Sequence, residues 1–106
     1  MSGAFVKVSK IYVEPNTERF LGTNVNIGVI LDDISSATST IITIDNPYEV
    51  AHVEDAAMTQ IEDYVYEYTF QSLETYTEGT YLATITITNG SYSFVHQVEF
   101  EMKEQS

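Results

Sequence analysis

The sequence predicts an all-β fold, an antiparallel β-sandwich of about seven strands with Greek-key connections. In the last third of the chain, apolar and polar residues alternate with a period of two, which is typical of strands that bury one face. Turn residues separate these runs at the spacing of a sandwich, and no segment has a convincing helical period. At 106 residues, we expect one domain spanning residues 1–106, large enough to bury a core without disulfides.

The first half of the chain contains three predicted strands. The first covers residues 4–13, and a break in its alternation near Ser9 and Lys10 indicates either a bulge or a change of sheet. Pro15 is expected to end this strand, because proline has no N–H group to donate to a neighbouring strand. The second and third strands cover residues 23–31 and 38–45, each with aliphatic side chains on one face.

The segment 48–63 is open to two interpretations. Val50 and Val53 indicate a short strand. Residues 56–61 fit either another strand or one helical turn behind Asp55, a residue type that caps helices. The sequence does not decide between them.

Three strands complete the fold, over residues 64–72, 80–88 and 91–102. Asn89 and Gly90 are predicted to join the last two as a type I′ hairpin, whose two central residues both need positive φ. The inward faces of all the strands define the expected core, and Tyr92 is placed in or beside it. The core members are Val25, Ile27, Val29, Ile42, Ile44, Tyr66, Tyr68, Phe70, Tyr81, Ala83, Ile85, Phe94, Val98 and Phe100.

The order of the last three strands carries a family resemblance. The segments YVYEYTFQS, EGTYLATITIT and NGSYSFVHQVEFEM resemble the E, F and G strands of immunoglobulin-like and fibronectin-like domains, and the resemblance covers residues 23–102. Gly79 and Tyr81 match the Gly-x-Tyr motif of the tyrosine corner. The resemblance implies that the Tyr81 phenol bonds to the backbone a few residues upstream, across the turn 73–79. Without paired cysteines or a core tryptophan, the chain is more similar to microbial and tailed-phage virion domains than to antibody domains.

The composition excludes several function classes. Sixteen Asp and Glu residues oppose four Lys and Arg, for a net charge of −12. Nucleic-acid binders and proteins that bind anionic membranes need clustered cations, so we expect neither partner. There is no cysteine, which excludes disulfides, thiolate metal sites and cysteine nucleophiles.

Candidate catalytic groups are few, and we expect no enzyme and no cofactor. His52 and His96 are the two histidines. His96 shares the parity of the inward side chains of the last strand, which favours a structural role. His52 has no serine or carboxylate in a recognisable triad relation, and no nucleotide or phosphate motif is present.

Acidic residues cluster in the loops that an immunoglobulin-like topology gathers at one end. They are Asp32, Asp33, Glu62 and Asp63. Solvated turn residues are the expected interpretation, and a calcium site is the alternative, because Ca²⁺ binds several converging oxygens.

Tyrosine is the remaining signal, with eight copies and no tryptophan. Tyr12, Tyr48, Tyr64 and Tyr76 fall out of phase with the core or in loops, so they are the candidates for partner binding. The expected surface is the acidic end. The opposite end, with Arg19, Glu74 and Tyr76, is the alternative.

The resemblance leaves two function classes open. The first is a non-enzymatic virion protein of a tailed virus, in capsid decoration, head completion or the tail, with a larger virion assembly as its partner. Like charge is expected to keep the free protein monomeric. The second is a secreted or surface adhesion module that binds protein or carbohydrate through its loops. Because no signal peptide or apolar membrane span is visible, we expect synthesis in the cytoplasm, and location in the virion if the protein is viral.

Overall fold

The described residues form eight strands, one more than the approximate number expected. The structure, a computed structural model, describes residues 7–105. The segment 48–63, which the sequence left open, contains two strands and no helical turn. Residues 7–105 contain no helix that is long and apolar enough to cross a membrane. The strands are β1 Val8–Glu14, β2 Asn24–Leu31, β3 Ser39–Asp45, β4 Ala51–Ala57, β5 Thr59–Glu62, β6 Val65–Gln71, β7 Gly79–Asn89 and β8 Tyr92–Met102.

The strands form two four-stranded sheets, in the orders β1-β2-β6-β5 and β4-β3-β7-β8. Every pair within a sheet is antiparallel. The chain changes sheets between β2 and β3, β4 and β5, and β6 and β7, which is a Greek-key arrangement. The predicted antiparallel β-sandwich is confirmed.

The predicted bulge in the first strand is also confirmed. The pairing of β1 with β2 shifts register between Val8 and Lys10, where the alternation breaks in the sequence. Residues 4–6 of the predicted strand lie outside the described residues.

The core lies between the sheets and contains most of the predicted residues. Tyr68, Phe94 and Val98 are only partly buried against it. The prediction for Tyr92 is wrong, because this side chain is 55% exposed at the start of the edge strand β8. Buried residues that the expected core omitted are Val13, Leu21, Leu31, Met58, Ile87 and Met102.

Tyr81 anchors the β6–β7 connection to this core. Its buried ring packs near those of Phe70 and Phe100, with centroid distances of 6.0 and 5.8 Å. Its hydroxyl donates a 2.6 Å hydrogen bond to the Thr77 carbonyl oxygen, four residues upstream. This is the hydrogen bond that the tyrosine-corner resemblance implies. Burial raises the pKa of the Tyr81 phenol, which favours the protonated donor.

The β7–β8 hairpin differs from the predicted type I′ turn. Asn89 pairs with Tyr92, so the two turn residues are Gly90 and Ser91. Among them only Gly90 has a positive φ, of 65°. Positive φ at the first central residue alone is the pattern of a type II′ turn, which places glycine there. The predicted turn, Asn89 and Gly90, therefore lies one residue before the observed turn, Gly90 and Ser91.

Tyr12 lies flat over a glycine on the outer face of the first sheet. Gly28 pairs directly with Tyr12, and a Cβ atom on Gly28 would overlap the Tyr12 ring. The Tyr12 hydroxyl donates a 2.7 Å hydrogen bond to Glu67 Oε2 on the next strand. Burial, this hydrogen bond and nearby carboxylates raise the pKa of Tyr12. Glycine at position 28 therefore provides the space in which this ring links three strands.

We expect Gly28→Ala to lower the free energy of unfolding by about 1–3 kcal/mol, because the added methyl group displaces the Tyr12 ring. Urea denaturation measures the effect. In a Tyr12→Ala background the same substitution should cost much less, since the ring is absent. Equal costs in the two backgrounds would refute this explanation.

We expect Tyr81→Phe to lower the free energy of unfolding by about 1 kcal/mol, the scale of one net hydrogen bond. Thermal and urea denaturation provide the measurement. Tyr92→Phe is the matched control, because it removes a hydroxyl from a largely exposed side chain. The same stability for Tyr81→Phe as for the parent would count against a role for the tyrosine corner.

Candidate interaction surface

The loops at one end of the sandwich are tied together by hydrogen bonds. Tyr64, in the β5–β6 turn, accepts from Leu31 N at 2.7 Å and donates its own amide to Ser35 O at 2.8 Å. Ser35 belongs to the β2–β3 loop. At the end of that loop, Thr38 Oγ1 accepts a 3.0 Å hydrogen bond from the Gly90 amide. Three loops distant in sequence therefore form one surface. We call residues 32–38, 62–64 and 90–91 the Tyr64 end.

Side chains further fix the β2–β3 loop. Gln60 donates from Nε2 to Ser35 O at 2.7 Å and to Ser36 Oγ at 2.9 Å. The Tyr66 hydroxyl accepts a 3.0 Å hydrogen bond from the Ala37 amide. The backbone of this loop is thus held by β5 and β6 as well as by its own strands, so little ordering is left to occur on binding.

Tyr64 has an unusual backbone conformation. Its φ is +74°, a left-handed conformation that costs free energy for a bulky residue and is usual for glycine or asparagine. Its side chain is nevertheless 42% exposed. A costly conformation that presents a half-exposed aromatic ring is a feature associated with binding sites, and it selects Tyr64 from the four candidate tyrosines.

The four acidic residues that the sequence groups together all lie at this end of the sandwich, and calcium binding by them stays a prediction. Asp32, Asp33, Glu62 and Asp63 are all exposed. The Asp33 carboxylate accepts from the Lys7 amide at 3.2 Å. Within the described part of the chain, no three His, Asp or Glu side chains are grouped so that they could hold a metal ion. The loop backbones converge, whereas the carboxylates extend into water, where their mutual repulsion is screened.

The other candidate tyrosines occupy different environments. Tyr48 is 75% exposed at the tip of the β3–β4 turn, at the opposite end of the sandwich. Asn46 Oδ1 supports that turn by accepting from the amides of Tyr48 and Val50. The Tyr12 hydroxyl is hydrogen-bonded to Glu67 within the first sheet. Tyr76, expected in an open loop, is half-buried and packed against the core.

The two histidines have surroundings that the sequence did not specify. The His52 ring stacks on Tyr76 with a centroid distance of 3.9 Å and an interplanar angle of 15°. His52 Nε2 lies 3.5 Å from Asn46 Nδ2. His96 is half-buried and pairs with Ile85, on the inward face where its parity places it. No serine hydroxyl bonds to either ring in the described residues, so the geometry contains no nucleophile–base pair of the triad kind.

Sequence reasoning missed two surface features. Val95 is 60% exposed on the outer face of β8, a position that strand parity could have identified. Arg19 and Lys10 line one cavity together with Val98 and Glu99. No local sequence signal joins these residues, because they come from β1, the β1–β2 loop and β8.

Comparisons with solved structures agree with the fold. The crystal structure of CopC from Methylosinus trichosporium OB3b is similar over 96% of this chain and 97% of that one, with a TM-score of 0.67 and 10% identity. The endo-β-1,4-mannanase from Thermotoga petrophila is similar over 91% of this chain but only 20% of its own, with a TM-score of 0.59 and 6% identity. At these identities the similarity shows the fold alone. No protein-family model and no curated protein matches the sequence.

We expect Tyr64→Gly to be more stable than Tyr64→Ala by about 1 kcal/mol, because both remove the ring but only glycine adopts positive φ without steric cost. Urea denaturation of the pair measures the difference. Thr69, exposed in β6, is the matched control, since alanine should be the more stable replacement in an ordinary strand position. If the alanine variant were the more stable of the two at both positions, Tyr64 would carry no backbone strain.

Proposed function

We propose that this protein is a non-enzymatic interaction module that binds a partner protein through the Tyr64 end. The observation that carries the proposal is Tyr64 itself, a half-exposed aromatic side chain held at φ +74° by two backbone hydrogen bonds. Such a residue can bury a large area on binding with little loss of conformational entropy. The rigid loops around it supply a preorganised surface.

The charge of this surface indicates the chemistry of the partner. Four exposed acidic residues lie at the same end of the sandwich as Tyr64, and the whole chain has a net charge of −12. A complementary partner surface is therefore rich in Lys and Arg, with the tyrosine at the centre of the contact and the acids at its rim. Repulsion between like-charged copies favours attachment to a basic assembly over self-association.

Within this class, we favour a virion protein of a tailed virus, with a role in capsid decoration, head completion or the tail. The support is the resemblance of the last three strands to immunoglobulin-like virion domains, together with an acidic surface suited to a repeated basic lattice. The protein would be made in the cytoplasm and incorporated into particles. Capsid, portal or tail genes beside its own gene are the expected genomic context.

The similarity to part of a mannanase favours one alternative. A fold that makes up 20% of that chain is compatible with an adhesion module that binds carbohydrate or protein through its loops. A pull-down on insoluble mannan separates the two functions. Retention on mannan that is lost in Tyr64→Ala would support the alternative and contradict the virion role.

We expect attachment to particles to weaken as salt concentration rises, because rim charges act through screened attraction. The measurement is occupancy on gradient-purified particles of the virus that carries the gene, across a salt series. Asp32→Asn/Asp33→Asn should reduce occupancy several-fold at low salt and flatten the salt dependence. Glu49→Gln/Glu74→Gln removes the same charge from the opposite end and serves as the matched control.

Two outcomes would overturn the proposal. One is salt-independent occupancy that neither double variant changes, which would place the contact on an apolar or strand-edge surface. The other is hydrolytic activity that depends on His52 or His96. Unchanged attachment of Tyr64→Ala would remove Tyr64 from the contact.

A further inference from the structure

The outer face of the second sheet contains a row of uncharged side chains that crosses all four strands. The strand order is β4-β3-β7-β8, and Ile41 pairs with both Ala57 and Thr86, while Thr86 pairs with Val95. Burial alternates along β3 and β7, so the side chains of this row point away from the core. Ala57 and Val95 are exposed, and Ile41 and Thr86 are half-buried.

Two flanking rows extend this uncharged surface along the strands. They are Ser39, Thr88 and Ser93 on one side, and Thr43, Thr84 and Gln97 on the other. The three rows contain no Asp, Glu, Lys or Arg, although the chain has sixteen acidic residues. We call these three rows the threonine face.

The polar side chains of the threonine face bond to one another across the strands. Thr88 Oγ1 lies 3.1 Å from Ser93 Oγ, and Gln97 donates from Nε2 to Thr84 Oγ1 at 3.3 Å. Thr43 Oγ1 is hydrogen-bonded to the edge strand β4. Polar groups that already have partners cost less to remove from water. The face can therefore be covered without leaving these groups unpaired.

The absence of charge from the threonine face indicates what would cover it. A basic partner, which suits the Tyr64 end, gains no ion pair here. Two copies of the chain repel each other, since each has a net charge of −12. Contact between their threonine faces keeps the acidic residues outside the interface and places one apolar row on the other. A two-fold axis generates such a contact from a single patch.

The size of the face determines how strong this contact can be. Three rows about 7 Å apart and four strands about 4.8 Å apart give an area of roughly 400 Å². Two copies would bury roughly 800 Å² in total, about half of a standard protein interface. The association is therefore weak, and it is populated where copies are held at high effective concentration, as on a common assembly.

We propose that the threonine face is a self-association surface, through which two copies pack sheet on sheet about a two-fold axis. The contact forms when the protein is concentrated or when salt screens the repulsion between copies. Dilute protein at low salt stays monomeric. Attachment through the Tyr64 end has the opposite salt dependence, because it relies on attraction between unlike charges. The two contacts are therefore independent, and salt distinguishes them.

Sedimentation velocity and ¹⁵N NMR of the free protein test this contact over a range of protein and NaCl concentrations. We expect the dissociation constant of the dimer to fall at least about threefold when NaCl rises from about 0.02 M to about 0.5 M, because screening removes the repulsion. The amides of Ile41, Thr86 and Val95 should shift with protein concentration. The Tyr64 amide should not.

Two lysine variants form a matched pair. Thr86→Lys places a charge at the centre of the face and should weaken association at least about tenfold, because two desolvated cations would meet there. Thr69→Lys makes the same charge change on an inner strand of the other sheet. It should strengthen association slightly, since it reduces the negative net charge.

Val95→Thr provides a milder change at an exposed position. It keeps a β-branched side chain and adds a hydroxyl group to the apolar row, so it should fold and weaken association. Thermal denaturation confirms that each variant is folded.

A monomer at every salt concentration, with the protein at about 1 mM, would overturn the proposal. Association that weakens as salt rises would indicate a contact between unlike charges and would also refute it. Equal association of Thr86→Lys and Thr69→Lys would place the contact elsewhere on the molecule, against the proposal. Attachment of Tyr64→Ala and of Asp32→Asn/Asp33→Asn concerns the Tyr64 end and leaves these results unaffected.

Discussion

The fold depends on one constraint: each sheet has a single apolar face, and that face must be covered by the other sheet. On one side of the sandwich the chain itself joins the sheets, since β4 leads through the buried Met58 into β5. On the other side, β1 and β8 belong to different sheets and do not pair in the described chain. The open side has the cavity that Arg19 lines. The asymmetry of one crossover thus determines on which side of the sandwich the margin of the core is left open.

The four strands with neighbours on both sides are all predicted by alternation, and of the edge strands the long β8 is predicted as well. β2, β3, β6 and β7 each lie inside a sheet, so most of their inward residues are buried and the period of two is clear. Edge strands follow the same geometry with weaker selection for apolar residues. This is why β4 and β5 remained uncertain, and why Phe94 and Val98 are less buried than their parity indicates.

The candidate site shows the same division between what a chain encodes locally and what only packing decides. Topology correctly predicts that the acidic loops meet, because strand order determines which turns share an end. It does not determine side-chain directions, and although Asp32 and Asp63 share a surface, no three acidic or histidine side chains of the described residues are grouped there. Likewise, parity places Tyr12 outside the core, but only its pairing with Gly28 shows that its ring packs against the sheet. The strain at Tyr64 has no signature in the sequence.

The separation of β1 from β8 also determines how the chain would carry mechanical load. Lys7 lies at the Tyr64 end and Gln105 at the opposite end, so tension between them acts along the strands. Under such tension β1 slides along β2, and the ladder bonds between them are loaded together instead of opening one at a time. The register shift between Val8 and Lys10 interrupts that ladder near its loaded end. Within the β1–β2 ladder, the stretch that resists such sliding without interruption runs from Lys10 to Glu14.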